Sequence, residues 1–205
     1  MRLFEAIVDA NHRALAGDTR AGLRPAEFAD SLPLVVLTCF DPRMHPLMPE
    51  VLGVAEPNFI WMTNAGNIVT GPLSSTVRSL ALACAVQGGR EIAIIGHTDC
   101  LFFHPAKTFL SDRLRASGLD LSGPAGKLDE LFSSLISERS NVNLAVKSVR
   151  ESPLINKRIP VHGLMVDVES GRLDWVVNGY AEAGPLLATD YRIGRDLPPI
   201  GRPAS

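Results

Sequence analysis

The chain has 205 residues, a formal net charge of −2 and no lysine or arginine block, which removes the electrostatic basis for binding nucleic acid or an anionic membrane. Hydrophobic residues make up 46% and charged residues 20%, enough to bury one core, and small-molecule chemistry is the better expectation. Three cysteines are too few, and odd in number, for a disulfide framework, which leaves metal ligation, catalysis or burial as their uses.

Residues 3–16, "LFEAIVDANHRALA", space Leu3, Ile7, Ala10, Ala14 and Leu15 as one face of an amphipathic helix. Glu5, Asp9, His12 and Arg13 interrupt the apolar run that a signal peptide would need, and no run reaches membrane-spanning length, so a cytoplasmic location is expected. "PLVVLTC" from Pro33 is too short for an ordinary helix and too continuously apolar for a half-exposed strand, and reads as a buried parallel strand. A short helix is expected from about Pro46 to Val54 with Gly53 near its end, then a second strand, "NFIWMTN". Ser74 or Ser75 caps a predicted helix through "TVRSLALACAVQGG", closed by Gly88 and Gly89, and "EIAIIGH" follows as a third strand.

This strand, helix, strand, helix, strand order implies right-handed crossovers and an α/β fold, a central mostly parallel β-sheet flanked by helices. Two further helices are predicted, "PAGKLDELFSSLISE" and "NVNLAVKSVRE", the second stopped by Pro153. "VHGLMVDVESGRLDWVV" reads as a C-terminal hairpin at the sheet edge, turning at Glu169 to Gly171, and the proline-rich stretch beyond Gly184 as an extended tail. One domain is expected over 1–205, with a helical arm at 1–30, the α/β core at 31–180 and the tail at 181–205.

In open parallel sheets, ligands sit beyond the carboxyl ends of the strands. Cys39 ends the first predicted strand and His97 the third, with Cys100 three residues further on in "HTDC". Singly, each has an ordinary reading as core cysteine or locally bonded histidine. Together they form a Cys2His set suited to zinc, with the open fourth position of a catalytic site. Asp41 and Arg43 lie beside Cys39 in a C-x-D-x-R string.

C-F-D-P-R at 39–43, N-A-G-N at 64–67 and G-H-T-D-C at 96–100 resemble the signature segments of the β-class carbonic anhydrases, and "IPVHGLMVDVESGRL" at 159–173 is similar to that family's closing hairpin. The resemblance covers roughly residues 30–175. It implies a zinc enzyme that hydrates carbon dioxide to bicarbonate, with Zn2+ on Cys39, His97 and Cys100, built as a homodimer or a dimer of dimers that the N-terminal helix embraces. Two thiolates offset the charge of the ion, so zinc-bound hydroxide needs help: Asp41, kept ionised and aimed by Arg43, accepts its hydrogen bond. In some members of that family the equivalent aspartate leaves the arginine and binds the zinc itself. A surface ion pair is the competing reading of Asp41 and Arg43. Gly66 and Leu101 are candidate substrate-pocket residues, Gly66 because it permits close backbone approach.

Two positions depart from the family pattern. Leu101 replaces the usual glycine after the last cysteine, followed by Phe102 and Phe103, and Thr63 replaces the usual arginine before N-A-G. The greasier entrance suits carbonyl sulfide or carbon disulfide as alternative substrates of a hydrolase on the same zinc site. A catalytically silent zinc-binding regulatory domain is the non-enzymatic alternative. Among the rest, Cys84 is expected in the core, and His12, His45, His104 and His162 as solvated or locally bonded, with His104 a candidate proton shuttle. Asn64 and Asn67 are expected to cap rather than touch ligand, Asp99 to orient its turn or meet solvent, and Phe102, Phe103 and Phe109 to pack.

Overall fold

The computed structural model describes residues 1–103, 107–120 and 137–181, with only the backbone at 107–110. The apolar runs assemble into a five-stranded sheet of order β2-β1-β3-β4-β5. Its strands are β1 (Leu34–Cys39), β2 (Phe59–Asn64), β3 (Glu91–His97), β4 (Val161–Val166) and β5 (Leu173–Val177). β1 to β4 run parallel, and β5 returns antiparallel to β4.

The continuous apolarity of β1 and β3 follows from cover on both faces, since every residue of both strands is buried. Leu34 and Val36 of β1 belong to the same core layer as Leu3, Phe4 and Ile7 of α1 (Leu3–Leu15) and Met44 and Met48 of α2 (Met44–Leu52). Val35 and Leu37 face the opposite layer, formed by α3 (Ser75–Gln87) and α5 (Glu138–Glu151) through Val77, Leu80, Val142 and Val146. Strand alternation has thus sorted one apolar run onto two cores. β2, at the edge, is only partly buried.

Local signals set most helix ends. The Ser74 hydroxyl accepts from the Val77 amide as N-cap of α3, and Gly88 closes that helix at φ +77°. α2 begins at Met44, before Pro46, because a first-turn residue has no intrahelical partner for its amide and proline there costs nothing. α5 begins earlier than its apolar stripe suggests, because Ser137 accepts from the Ser140 amide and opens the helix at Glu138. A helix absent from the sequence reading, α4 (Lys107–Ala116), is far more polar than α3. The helix expected over 124–138 falls almost wholly outside the described residues, as does the tail.

α1 packs along its own chain's sheet, with Leu3 and Phe4 fully buried, worth about 2 kcal/mol apiece. Asn11 donates to the Gly171 carbonyl (2.9 Å) and accepts from the Leu173 amide (2.9 Å), while His12 Nε2 reaches the Leu173 carbonyl (2.8 Å). His12 therefore ties the helix to the hairpin across the sequence rather than bonding locally.

A second polar cluster closes the opposite end of the sheet. Buried Glu91 accepts from the Tyr180 hydroxyl (2.7 Å) and from His162 Nε2 (3.2 Å), while the Gly179 amide donates to His162 Nδ1 (3.0 Å) and the Phe4 amide to the Tyr180 oxygen (3.1 Å). His162, expected in solvent or locally bonded, is completely buried. Its partners stand 71 and 17 residues away, a separation that no local pattern could reveal.

Candidate metal centre

The carboxyl ends of β1, β2 and β3 lie side by side, with Cys39 in register with Asn64. Cys39 is the last residue of β1 and His97 the last of β3. Cys100 is brought back by a turn in which the Thr98 amide donates to Val166 (3.0 Å) and Asp99 takes a left-handed φ of +53°. The ligand atoms of Cys39, His97 and Cys100 all fall within 4.8 Å of one another, and the three residues are buried. Among the described residues this is the one such grouping of histidine, cysteine and acidic side chains.

The donor set fits a tetrahedral ion. The two sulfurs are 4.0 Å apart, close to the edge of about 3.8 Å expected for two thiolates on one zinc. His97 Nδ1 is 2.9 Å from the Thr98 carbonyl, an acceptor only, so Nδ1 carries the proton and Nε2 a bare lone pair. That Nε2 is buried without a hydrogen-bond partner, a costly state for a polar atom and the one a metal relieves. Burial alone lowers the affinity of this ring for a second proton, but the nearby Cys39 sulfur and the Thr98 carbonyl outweigh it and the net shift is upward.

The Cys39 sulfur also accepts from the amides of Asp41 (3.4 Å) and Gly66 (3.3 Å). The neighbouring Cys100 thiol and these donors hold Cys39 far below the usual thiol range, as a thiolate, while the same contact pushes Cys100 up. The pair therefore shares one proton until a cation displaces it. Cys84, expected in the core, is only partly buried at its margin, and burial raises its thiol to about 11.

Asp41 and Arg43 do not form a surface ion pair. Asp41 is only 4% exposed; its carboxylate accepts from Arg43 Nε (2.9 Å) on one oxygen and Nη2 (2.8 Å) on the other. Those hydrogen bonds outweigh burial and pull Asp41 down to about 2. Arg43 is shifted upward by the same contact and by Asp99, whose carboxylate accepts from Nη1 (3.0 Å) and whose carbonyl accepts from Nη2 (2.9 Å).

Gly66 adopts φ +63°, and a Cβ there would lie 2.9 Å from the Phe103 ring, so both conformation and space call for glycine. Its carbonyl accepts from buried Asn141 on α5 (2.9 Å). Asn141 was missed by sequence reasoning, although an asparagine four residues before Ala145 on an otherwise apolar helical stripe is a readable signal. Thr98 was missed too, and its carbonyl role with His97 leaves no trace in residue type. Asn64 braces the turn by bonding both the amide and the carbonyl of Ile68 at its far end, rather than capping the turn's start with its side chain as expected. Asn67 is buried with φ +49°, and its amide nitrogen has no partner. Phe40 and Leu101, next in sequence to the two cysteines, are 54% and 67% exposed, and Phe102 packs edge-on against Phe40 at 4.8 Å. Thr63 is exposed on β2. His104 and the Phe109 side chain lie outside the described residues.

The sequence profile of the carbonic anhydrase family matches residues 34–173. YvdA of Bacillus subtilis, which carries a provisional carbonic anhydrase name, is 30% identical over 181 residues, 85% of this chain and 91% of that protein. A carbon disulfide hydrolase of an Acidianus strain is 30% identical over 158 residues, 68% of this chain and 75% of that protein. Among solved structures, β-carbonic anhydrase isoform I of Trichomonas vaginalis superposes with a TM-score of 0.66 at 29% identity, covering 88% of this chain and all of that one. The profile spans more than half of the chain, and the curated relative and the solved structure agree with it: the chain belongs to the β-class carbonic anhydrase family.

Proposed function

We propose that this protein is a zinc-dependent carbonic anhydrase, interconverting carbon dioxide and water with bicarbonate and a proton, with Cys39, His97 and Cys100 as metal ligands. The observation that carries the reading is buried Asp41, paired with the half-exposed Arg43, beside the cluster. A binding domain needs the three ligands alone, whereas hydration also needs an ionised carboxylate near an open position. A zinc ion held there supplies Lewis acidity that makes water easier to deprotonate near neutral pH. Asp41, kept ionised by Arg43, accepts a hydrogen bond from the attacking oxygen, leaving its lone pair directed at the substrate carbon. Arg43 stays cationic throughout. The Cys39 sulfur is braced by the Asp41 and Gly66 amides, which fixes the ligand without consuming its charge.

Asp41→Ala tests the role: zinc stays at about one per chain, while stopped-flow hydration falls by at least about a hundredfold. Unchanged activity refutes it.

Exposed Phe40 and Leu101 beside the ligand cysteines and the related carbon disulfide hydrolase support a second reading, hydrolysis of carbonyl sulfide or carbon disulfide to carbon dioxide and hydrogen sulfide. Hydrogen sulfide release by a protein inactive towards carbon dioxide selects that reading, and silence on every substrate selects a zinc-binding domain. We assign the expected homodimer to the open edge of β2, flanked by Leu82 and Val86, both more than half exposed on α3. No helix among the described residues is long and apolar enough to cross a membrane.

A further inference from the structure

We propose that Asp99 is a positioning residue that anchors Arg43 from the solvent side and thereby keeps Asp41 on the arginine instead of on the metal. The inference rests on the hydration reading above and extends it to a residue which touches neither metal nor substrate.

The guanidinium of Arg43 lies between two aspartates of very different exposure. The inner one, Asp41, is buried and takes Nε and one hydrogen of Nη2. The outer one, Asp99, has a side chain 71% exposed and takes Nη1 on its carboxylate and Nη2 on its carbonyl. Four of the five guanidinium hydrogens are thereby committed, with one Nη1 hydrogen left. Asp99 can offer both oxygens to one partner because its backbone is left-handed, φ +53°, a conformation that aspartate tolerates better than most residues.

Arg43 itself is 41% exposed on a long side chain. Held by Asp41 alone, it would exchange freely between that contact and water, because a half-exposed arginine loses much rotamer freedom when it is fixed. Asp99 supplies the second point of attachment. When Arg43 swings away, Asp41 becomes a buried carboxylate without its counter-charge, a state it cannot hold. It then turns to another cation, and a carboxylate oxygen is an acceptable fourth ligand for zinc on two thiolates and an imidazole. Asp99 so decides between an aspartate that orients the reacting water and one that displaces it.

The competing view is that Asp99 only shapes the turn carrying Cys100. Two substitutions separate these roles. Asp99→Gly keeps the left-handed backbone and the carbonyl contact while deleting the carboxylate, and Asp99→Asn restores a side-chain acceptor. In the zinc-loaded protein, the Arg43 Nε–Hε proton, read by 15N NMR, should exchange with solvent about tenfold faster in Asp99→Gly and within about threefold of wild type in Asp99→Asn. Hydration kcat/KM should fall about tenfold in Asp99→Gly and recover to within about threefold in Asp99→Asn, at unchanged zinc content. Arg43 exchange in Asp99→Gly equal to wild type overturns the proposal. Loss of zinc from both variants also overturns it, because Asp99 would then be a determinant of the turn. If wild type proves inactive towards carbon dioxide, the hydration reading falls while the exchange measurement still judges the anchor.

Discussion

β3 carries a buried polar residue at each end, Glu91 at its start and His97 at its finish, and the two ends are organised on opposite principles. At the start, Glu91, His162 and Tyr180 satisfy one another: His162 Nδ1 takes the Gly179 amide, so its proton sits on Nε2 and goes to Glu91. At the finish, His97 carries its proton on Nδ1 for the Thr98 carbonyl and leaves Nε2 buried and bare between two sulfurs. Both histidines are buried, and neither ring is free to choose its tautomer. The difference is completeness. A buried network with every donor matched holds elements together, whereas one that leaves a lone pair unmet at ligand distance from two thiols calls for a cation.

The largest effects should come from exchanging the fates of the two histidines. His97→Ala is expected to abolish zinc retention measured by elemental analysis while leaving the stability of metal-free protein little changed. His162→Ala should keep about one zinc per chain and lose about 3 kcal/mol in urea unfolding, since it strands the buried Glu91 carboxylate. Zinc loss from His162→Ala would erase the distinction. A smaller change at the same end, Tyr180→Phe, removes the donor to Glu91 and the acceptor for the Phe4 amide. It should cost about 1–3 kcal/mol, speed hydrogen exchange at Phe4, and leave zinc content alone.

The two ends also differ in how far residue order betrays them. Cys39, His97 and Cys100 were legible because each sits at a strand end or one turn beyond it, and parallel topology obliges those ends to meet. The strands and the hairpin were legible from apolar continuity and alternation. Glu91 and His162 were not, because each looks like a polar interruption at the start of a strand and gains its meaning only when β3 and β4 lie side by side and Tyr180 closes over them. Asn141 could be read as a polar residue on an apolar stripe, but its partner Gly66, 75 residues away, could not. The polar character of α4 left the opposite kind of gap, an element with too few apolar residues to announce itself.

The finest test of the contrast is the pH dependence of stability. Burial lowers the His162 pKa, and the nearby Glu91 only partly offsets this. In the unfolded chain the same ring titrates near its ordinary value of about 6.5. Below that pH the unfolded state binds a proton that the folded state refuses, so stability contributed by this site is present above about pH 6.5 and drains away as the pH falls. The slope for one such site cannot exceed about 1.4 kcal/mol per pH unit. Urea unfolding of metal-free protein between about pH 5 and 7 should therefore steepen in wild type relative to His162→Gln, which keeps a neutral donor for Glu91 but cannot ionise. Contributions from the Cys39, His97 and Cys100 end are common to both proteins and cancel, because the two clusters share no partner and lie at opposite ends of the sheet. Parallel curves would mean that His162 accepts its second proton inside the fold, and the cluster at Glu91 would then be as electrostatically unfinished as the one at His97.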